Sequence, residues 1–415
     1  MIKLSEQQKK IVDNAGEWLE AKGIAYLAME MRTGKTLTAL SIAERNGKKN
    51  VLFITKLKAM QSVLDDYAKL GGNFKINVIN DSFQRIGKEE PIYDLYIVDE
   101  AHGYGAFPKP SRRTLALKKL VGDTDLLLLS GTPSPETFGS QLYHQFVLSE
   151  HSPFGEYKNF YKWAHEFVNI KQRMINGVSV NDYTEAKKDV IVPFVKDYFF
   201  TLTQAEAGIK SDITETILRV PMLSRTAEII RRIRTDKLVI LNSGGERHEV
   251  IGDTAVKEMQ KVHQICSGTV KDETGKELIL DTSKAVYIRD HFAGKRIAIF
   301  YLYRAERKIL DKIFPHNTES PEEFRDSPDL VFLCQIVKGS MGTDLSIADC
   351  LIFYNIHFAA VQYWQARARL SNYKRKRTCP VYWIFGEGGI EDKIYEAVIN
   401  KKDYTTIFYK DYGKY

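Results

Sequence analysis

The chain has 415 residues, with 60 lysines and arginines against 53 aspartates and glutamates, a net charge of +7. That length exceeds one compact core and suits two domains with insertions. Cys266, Cys334, Cys350 and Cys379 stand apart, with no histidine at zinc spacing, which excludes a disulfide scaffold and a zinc cluster and suits core thiols in a reducing compartment. No run of about 18 apolar residues occurs, so no membrane partner is expected. The polar start Met1-Ile2-Lys3-Leu4-Ser5 is unlike a secretory leader, and a cytoplasmic protein is expected. The basic excess suits a polyanion-binding surface but does not establish one.

In chain order, residues 7–22 are predicted as an amphipathic helix, 25–29 as a short strand, and 35–45 as a helix after a glycine turn. Strands are predicted at 51–55, 75–79, 95–98 and 126–130, with a helix through residue 70. Strands alternating with helices imply an α/β fold with a parallel sheet covered on both faces. From 146 to about 212 the alternation stops and aromatics crowd together, among them Phe154, Phe160, Trp163 and Phe167. A largely helical insertion is expected there, with a tight hairpin at Asn176-Gly177. Its aromatics could stack bases, but more often form the core of such an insertion. A strand is possible over 214–223, within a helical or irregular entry segment that runs to about 282. Alternation then resumes, with helices at 284–291 and 305–313 and strands at 296–301, 330–335, 350–354 and 381–384. The expected domains are 1–212, insertion included, and 213–415.

Three apolar strands end in small polar signatures. Gly34-Lys35-Thr36 lies at a strand-to-helix turn, where backbone N–H groups and the helix N-terminus suit phosphate oxygens. Lys35 would meet the β- and γ-phosphates of ATP, and the Thr36 hydroxyl would hold Mg²⁺. The full phosphate-loop pattern wants glycine where Met29 stands. Asp99-Glu100-Ala101-His102 follows a second strand; Asp99 would join the Mg²⁺ shell and Glu100 would polarise the attacking water. Ser130-Gly131-Thr132-Pro133 follows a third, either as a loop cap or as a relay towards nucleic acid. In the second half, Ser340-Met341-Gly342-Thr343-Asp344-Leu345 precedes a strand, and Gln365-Ala366-Arg367-Ala368-Arg369 offers a cation for transition-state charge.

The ordered set resembles superfamily 2 helicases, most closely the Swi/Snf-like DNA translocases. Residues 4–8 resemble the family's adenine-side motif, with Gln8 as reader. The stretch Glu30-Met31-Arg32-Thr33-Gly34-Lys35-Thr36 resembles its phosphate loop, with Arg32 where glycine is usual. By motif position the resemblance implies nucleotide contacts from Gln8, Arg32, Thr33, Gly34, Lys35, Thr36, Gly342 and Asp344. It implies nucleic-acid contacts from Lys56, Lys58, Ser82, Arg85, Ser340 and Thr343. Residues 282–284 and 297–301 look like the opening of a second motor lobe. The family's last motif ends in a second arginine; here that position is Asn372, so Arg369 acts alone or a residue of Lys374-Arg375-Lys376-Arg377 reaches in.

The resemblance implies two RecA-like lobes with a helical insertion, ATP and Mg²⁺ as cofactors, and ATP-driven movement along duplex, forked or branched DNA. It is nearest to small stand-alone phage or bacterial helicases of replication, recombination or repair, with proteins of those processes as possible partners. The readings that compete are an RNA helicase and an ATP-gated clamp that binds DNA without moving.

Overall fold

The computed structural model describes residues 4–30, 32–81, 92–134, 139–175, 178–208, 214–336, 345, 347–359 and 380–400. The chain divides into two compact units, Met1–Lys210 and Ser211–Tyr415.

Unit 1 opens with helix α1 (Glu6–Lys22), started by a capping box in which the Ser5 hydroxyl accepts from the Gln8 N–H and the Gln8 side chain accepts from the Ser5 N–H. Strand β1 (Ile24–Met29), helix α2 (Lys35–Arg45), β2 (Asn50–Thr55), α3 (Met60–Leu70), β3 (Lys75–Asn80) and β4 (Leu95–Val98) follow. Next come α4 (Arg112–Val121), β5 (Asp125–Leu129) and the short α5 (Leu142–Phe146). The sheet runs β3-β2-β4-β5-β1 and is parallel throughout. Both faces are covered, so Leu126 to Leu129 are all fully buried and read as one apolar run.

The segment expected to be largely helical is mixed. It holds α6 (Phe160–Phe167), an antiparallel hairpin of β6 (Lys171–Ile175) and β7 (Val178–Asp182), α7 (Lys188–Val195) and β8 (Phe199–Leu202). The hairpin spans Asn176-Gly177, which lies outside the described residues. β8 is not part of an insertion at all: it adds to the sheet as a sixth strand, parallel to β1. Its aromatic sequence favours strand over helix. Phe154, Phe160, Trp163 and Phe167 are buried against one another, with Trp163 and Phe167 stacked at 5.2 Å. They are core, and their faces are not a platform for bases.

Unit 2 begins with β9 (Glu215–Val220), as the sequence allows. The stretch expected to be helical or irregular to about 282 holds α8 (Ser224–Asp236), the hairpin β10 (Leu238–Ser243) and β11 (Glu246–Ile251), α9 (Ala255–Cys266), and the hairpin β12 (Thr269–Lys271) and β13 (Glu277–Ile279). The first hairpin turns at Gly244-Gly245, both at positive φ, the signature of a two-residue turn. Then come α10 (Ser283–His291), β14 (Ile297–Tyr301), α11 (Arg304–Ile313), β15 (Asn317–Thr318), α12 (Pro321–Asp326), β16 (Val331–Gln335), β17 (Cys350–Phe353), β18 (Val381–Gly386) and a last helix, Glu391–Ile399. The sheet order is β15-β16-β14-β17-β18-β9, again parallel. The fold class is therefore α/β with two six-stranded parallel sheets. No helix among the described residues is long and apolar enough to cross a membrane.

Candidate functional site

Because unit 1's sheet is parallel, the C-terminal ends of β4, β5 and β1 lie side by side on one edge. Ligands of open α/β sheets bind outside that edge. The three signatures sit there: Asp99-Glu100 after β4, Ser130 after β5, and Gly34-Lys35-Thr36 after β1.

The turn after β1 depends on glycine. Gly34 has φ +83°, and a Cβ there would come within 2.3 Å of the Gln8 amide nitrogen. That amide donates to the Thr33 carbonyl at 2.9 Å, so Gln8 fastens the loop to α1. Arg32 is exposed and also at positive φ, 64°. The Thr33 hydroxyl donates to the Glu30 carbonyl at 2.7 Å. The Lys35 ammonium donates to the Met29 carbonyl at 2.8 Å and more weakly to that of Glu30 at 3.5 Å. Burial lowers its pKa, against the pull of Glu100, Asp99 and Glu30. The Thr36 hydroxyl, in the first turn of α2, makes no hydrogen bond among the described residues.

The carboxylates beside it are half-buried. Burial raises the pKa of Asp99, and the neighbouring Glu100 raises it further. Asp99 accepts from the Thr55 hydroxyl at 2.8 Å and from the Glu100 N–H at 3.0 Å. Glu100 is raised by burial and held at φ 51°, a left-handed backbone that costs a glutamate energy and aims its side chain. Its Oε2 lies 3.3 Å from His102 Nδ1. Desolvation pushes His102 down to about 4, so the ring is neutral near pH 7 and meets the Ser130 hydroxyl at 3.0 Å.

From Ser130 a buried polar chain continues. The Tyr26 side chain lies close enough to Ser130 and Glu100 to feel both electrostatically, and its hydroxyl donates to Gln145 Oε1 at 2.7 Å. The Gln145 amide donates to the carbonyls of Pro133 at 2.8 Å and Gln141 at 2.9 Å. Thr55, Tyr26 and Gln145 were not among the residues singled out from the sequence. Gln145 had a signal: it is the one amide within the buried run Leu142–Phe146.

Lys56 lies beside this edge. It pairs with Asp81, whose same oxygen accepts from Arg113 at 2.9 Å. Arg113 also donates to the Gly103 carbonyl at 2.8 Å and covers the Tyr104 ring at 4.5 Å. Arg113 was missed by sequence reasoning. Lys58 falls in a short 3₁₀ turn, and its side chain lies outside the described residues. Ser82, Arg85, Ser340, Gly342, Thr343, Asp344, Arg369, Asn372 and the run 374–377 also lie outside them.

A nucleotide with Mg²⁺ fits the residues present. Two half-buried carboxylates with raised proton affinity, a half-buried ammonium, a free hydroxyl and a glycine-only turn form the donor set that phosphates and a divalent cation complement. Among the described residues no group of three metal-ligating side chains occurs, and Mg²⁺ characteristically takes one or two carboxylates with substrate phosphates as the remaining ligands.

No family model matches the chain. A segment of 77 residues is 36% identical to the DNA repair and recombination protein RAD54B of Gallus gallus, covering 19% of this chain and 8% of that protein. A segment of 76 residues is 33% identical to the human DNA repair and recombination protein RAD54-like, covering 18% of this chain and 10% of that protein. The matched part thus spans at most a tenth of these curated relatives. Among solved structures, the Sulfolobus solfataricus SWI2/SNF2 ATPase core in complex with dsDNA is 15% identical at a TM-score of 0.43, covering 96% of this chain and 91% of that one. The same core domain alone is 16% identical at 0.43, covering 97% and 89%.

Proposed function

We propose that this chain is an ATP-dependent translocase on DNA, with ATP bound and hydrolysed at the edge of the unit 1 sheet. One observation carries the reading: Lys35, Asp99 and Glu100 gather, half-buried, beside a turn that only glycine fits. Lys35 neutralises the β- and γ-phosphates, and Gln8, Arg32, Thr33 and Gly34 line the nucleotide. Thr36 and Asp99 hold Mg²⁺, which supplies charge neutralisation for the transferred phosphoryl group. Glu100, aimed by its backbone and by His102, orients and polarises water. Gly342, Asp344 and the transition-state cation Arg369 are proposed from motif position alone. Lys56, Lys58, Ser82, Arg85, Ser340 and Thr343 are proposed to follow DNA phosphates, which fix register without reading bases. The similarity of a short segment to two DNA repair and recombination proteins supports work in recombination, repair or replication.

The test is ATP turnover with duplex, forked or branched DNA, or RNA, alongside a strand-displacement readout. DNA should raise turnover, and added salt should reduce the effect as phosphate contacts weaken. Glu100→Gln should bind ATP and turn it over slowly. Turnover indifferent to both DNA and RNA rejects the motor. Stimulation by RNA above DNA assigns an RNA helicase, and DNA-stimulated turnover without displacement assigns a clamp.

A further inference from the structure

Unit 1 has a second concavity, of about 210 Å³, between the Pro108-Lys109-Pro110 segment, α4 and the start of α6. Its walls are fixed. His144 Nε2 meets the Pro108 carbonyl at 3.0 Å, and the Phe160 ring stacks on both His144 and Phe107, at 5.7 Å in each case. Leu115 and Tyr161 line it while remaining 51% and 42% exposed, large apolar surface left uncovered by the described residues. Lys109, Lys118 and Lys158 stand around it, all exposed, and none has an ion-pair partner among the described residues. A monomer leaves such a combination open at a cost in exposed apolar surface, and it marks an interaction site.

The size and the charge narrow the occupant. The volume is below the 300–1,000 Å³ usual for cofactors and drug-sized ligands and suits one anchoring side chain. Three lysines without counter-ions, set around an apolar hole, complement acidic residues flanking that anchor. Duplex DNA needs no apolar hole, because its phosphates are met by charge and amides. The phosphate-type cluster at Lys56 also lies elsewhere: Arg113 joins it from a position two residues, about 200°, around α4 from Leu115. We propose that this pocket docks an acidic segment of a partner protein through one aromatic or leucine side chain. The proposal is independent of the nucleotide chemistry and stands or falls without it.

The test uses the full chain and a fluorescein-labelled dodecapeptide of glutamates and aspartates with one central phenylalanine, followed by anisotropy. Replacing that phenylalanine by alanine should weaken binding by roughly tenfold or more, as for a buried anchor. The double variant Lys118→Glu/Lys158→Glu should weaken it as much, with an unchanged melting temperature because both side chains are exposed. No binding overturns the proposal, as does affinity indifferent to the anchor or to the double reversal. If a single-stranded oligonucleotide displaces the peptide, and binds less well to the double variant, the surface belongs to nucleic acid and the proposal is likewise lost.

Discussion

Both units stack helices on six parallel strands, yet they treat buried charge in opposite ways. In unit 2, Lys284 and Glu391 are buried and close on each other at 2.6 Å. Glu306, raised by burial, is saturated by the N–H groups of Leu302 and Tyr303 at 2.7 and 3.0 Å and by the Asn355 amide at 2.6 Å. In unit 1, Lys35 bonds backbone carbonyls, although it feels the charge of Asp99 and Glu100. Asp99 in turn bonds a hydroxyl and an amide. Charges that close on one another are packing. Charges held apart by backbone and hydroxyl groups keep their binding capacity for something that arrives. Lys284 comes from the stretch that resembles the opening of a second motor lobe, so motif position alone does not separate the two uses.

The contrast can be broken by experiment. Lys284→Ala leaves Glu391 buried without its counter-charge and should cost about 3–5 kcal/mol in chemical denaturation; a loss under about 1 kcal/mol would remove the pair from the packing of unit 2. Lys35→Ala should do the reverse, cutting ATP turnover by roughly 10²–10³-fold while the melting temperature holds. If it instead melts as early as Lys284→Ala, Lys35 is structural and the contrast fails.

Two smaller effects sharpen it. Gln145→Leu strands the Tyr26 hydroxyl and the Pro133 carbonyl, for about 1–3 kcal/mol of stability. It should also lower kcat more than it changes KM for ATP, because the polar chain from Gln145 reaches Glu100 and not the phosphate turn. Equal changes in both would make Gln145 a packing residue only. His263 in unit 2 tests pH. Burial lowers it to about 3 in the folded chain, whereas the unfolded chain titrates near the ordinary 6.5. The unfolded state therefore binds the proton first. Stability is full above about pH 6.5 and falls as pH drops towards 3, by roughly 1–2 kcal/mol between pH 7 and 5. His263→Phe should flatten that slope relative to the parent.

The sequence carried much of this. The strands at 95–98 and the helix at 35–45 stand where apolar runs and the glycine turn predict them, because buried parallel strands leave unbroken apolar stretches. Lys35, Asp99 and Glu100 follow such strands, which is why the sequence singles them out. Strands β11 to β13 were not legible: β12 and β13 have three residues each, and the exposed face of β11 carries charge, as at Glu246 and Glu249. Tyr26, Thr55 and Gln145 were missed for another reason. Each looks like an ordinary member of its own element, and their roles arise from contacts between residues as far apart in sequence as Tyr26 and Gln145.

Strand β8 also gives the glycine turn after β1 a history. The Glu30 N–H bonds the Leu202 carbonyl at 2.8 Å, and the Glu30 carboxylate accepts from the Gln204 N–H at 2.8 Å. The first residue of the turn is thus moored by residues made long after it. On the ribosome, a nascent chain short of residue 202 holds the whole turn, yet leaves β1 as an open sheet edge, prone to pair with other chains. Stalled chains of increasing length should acquire ATP capture as a step when β8 emerges from the exit tunnel. They should not acquire it when Lys35 does.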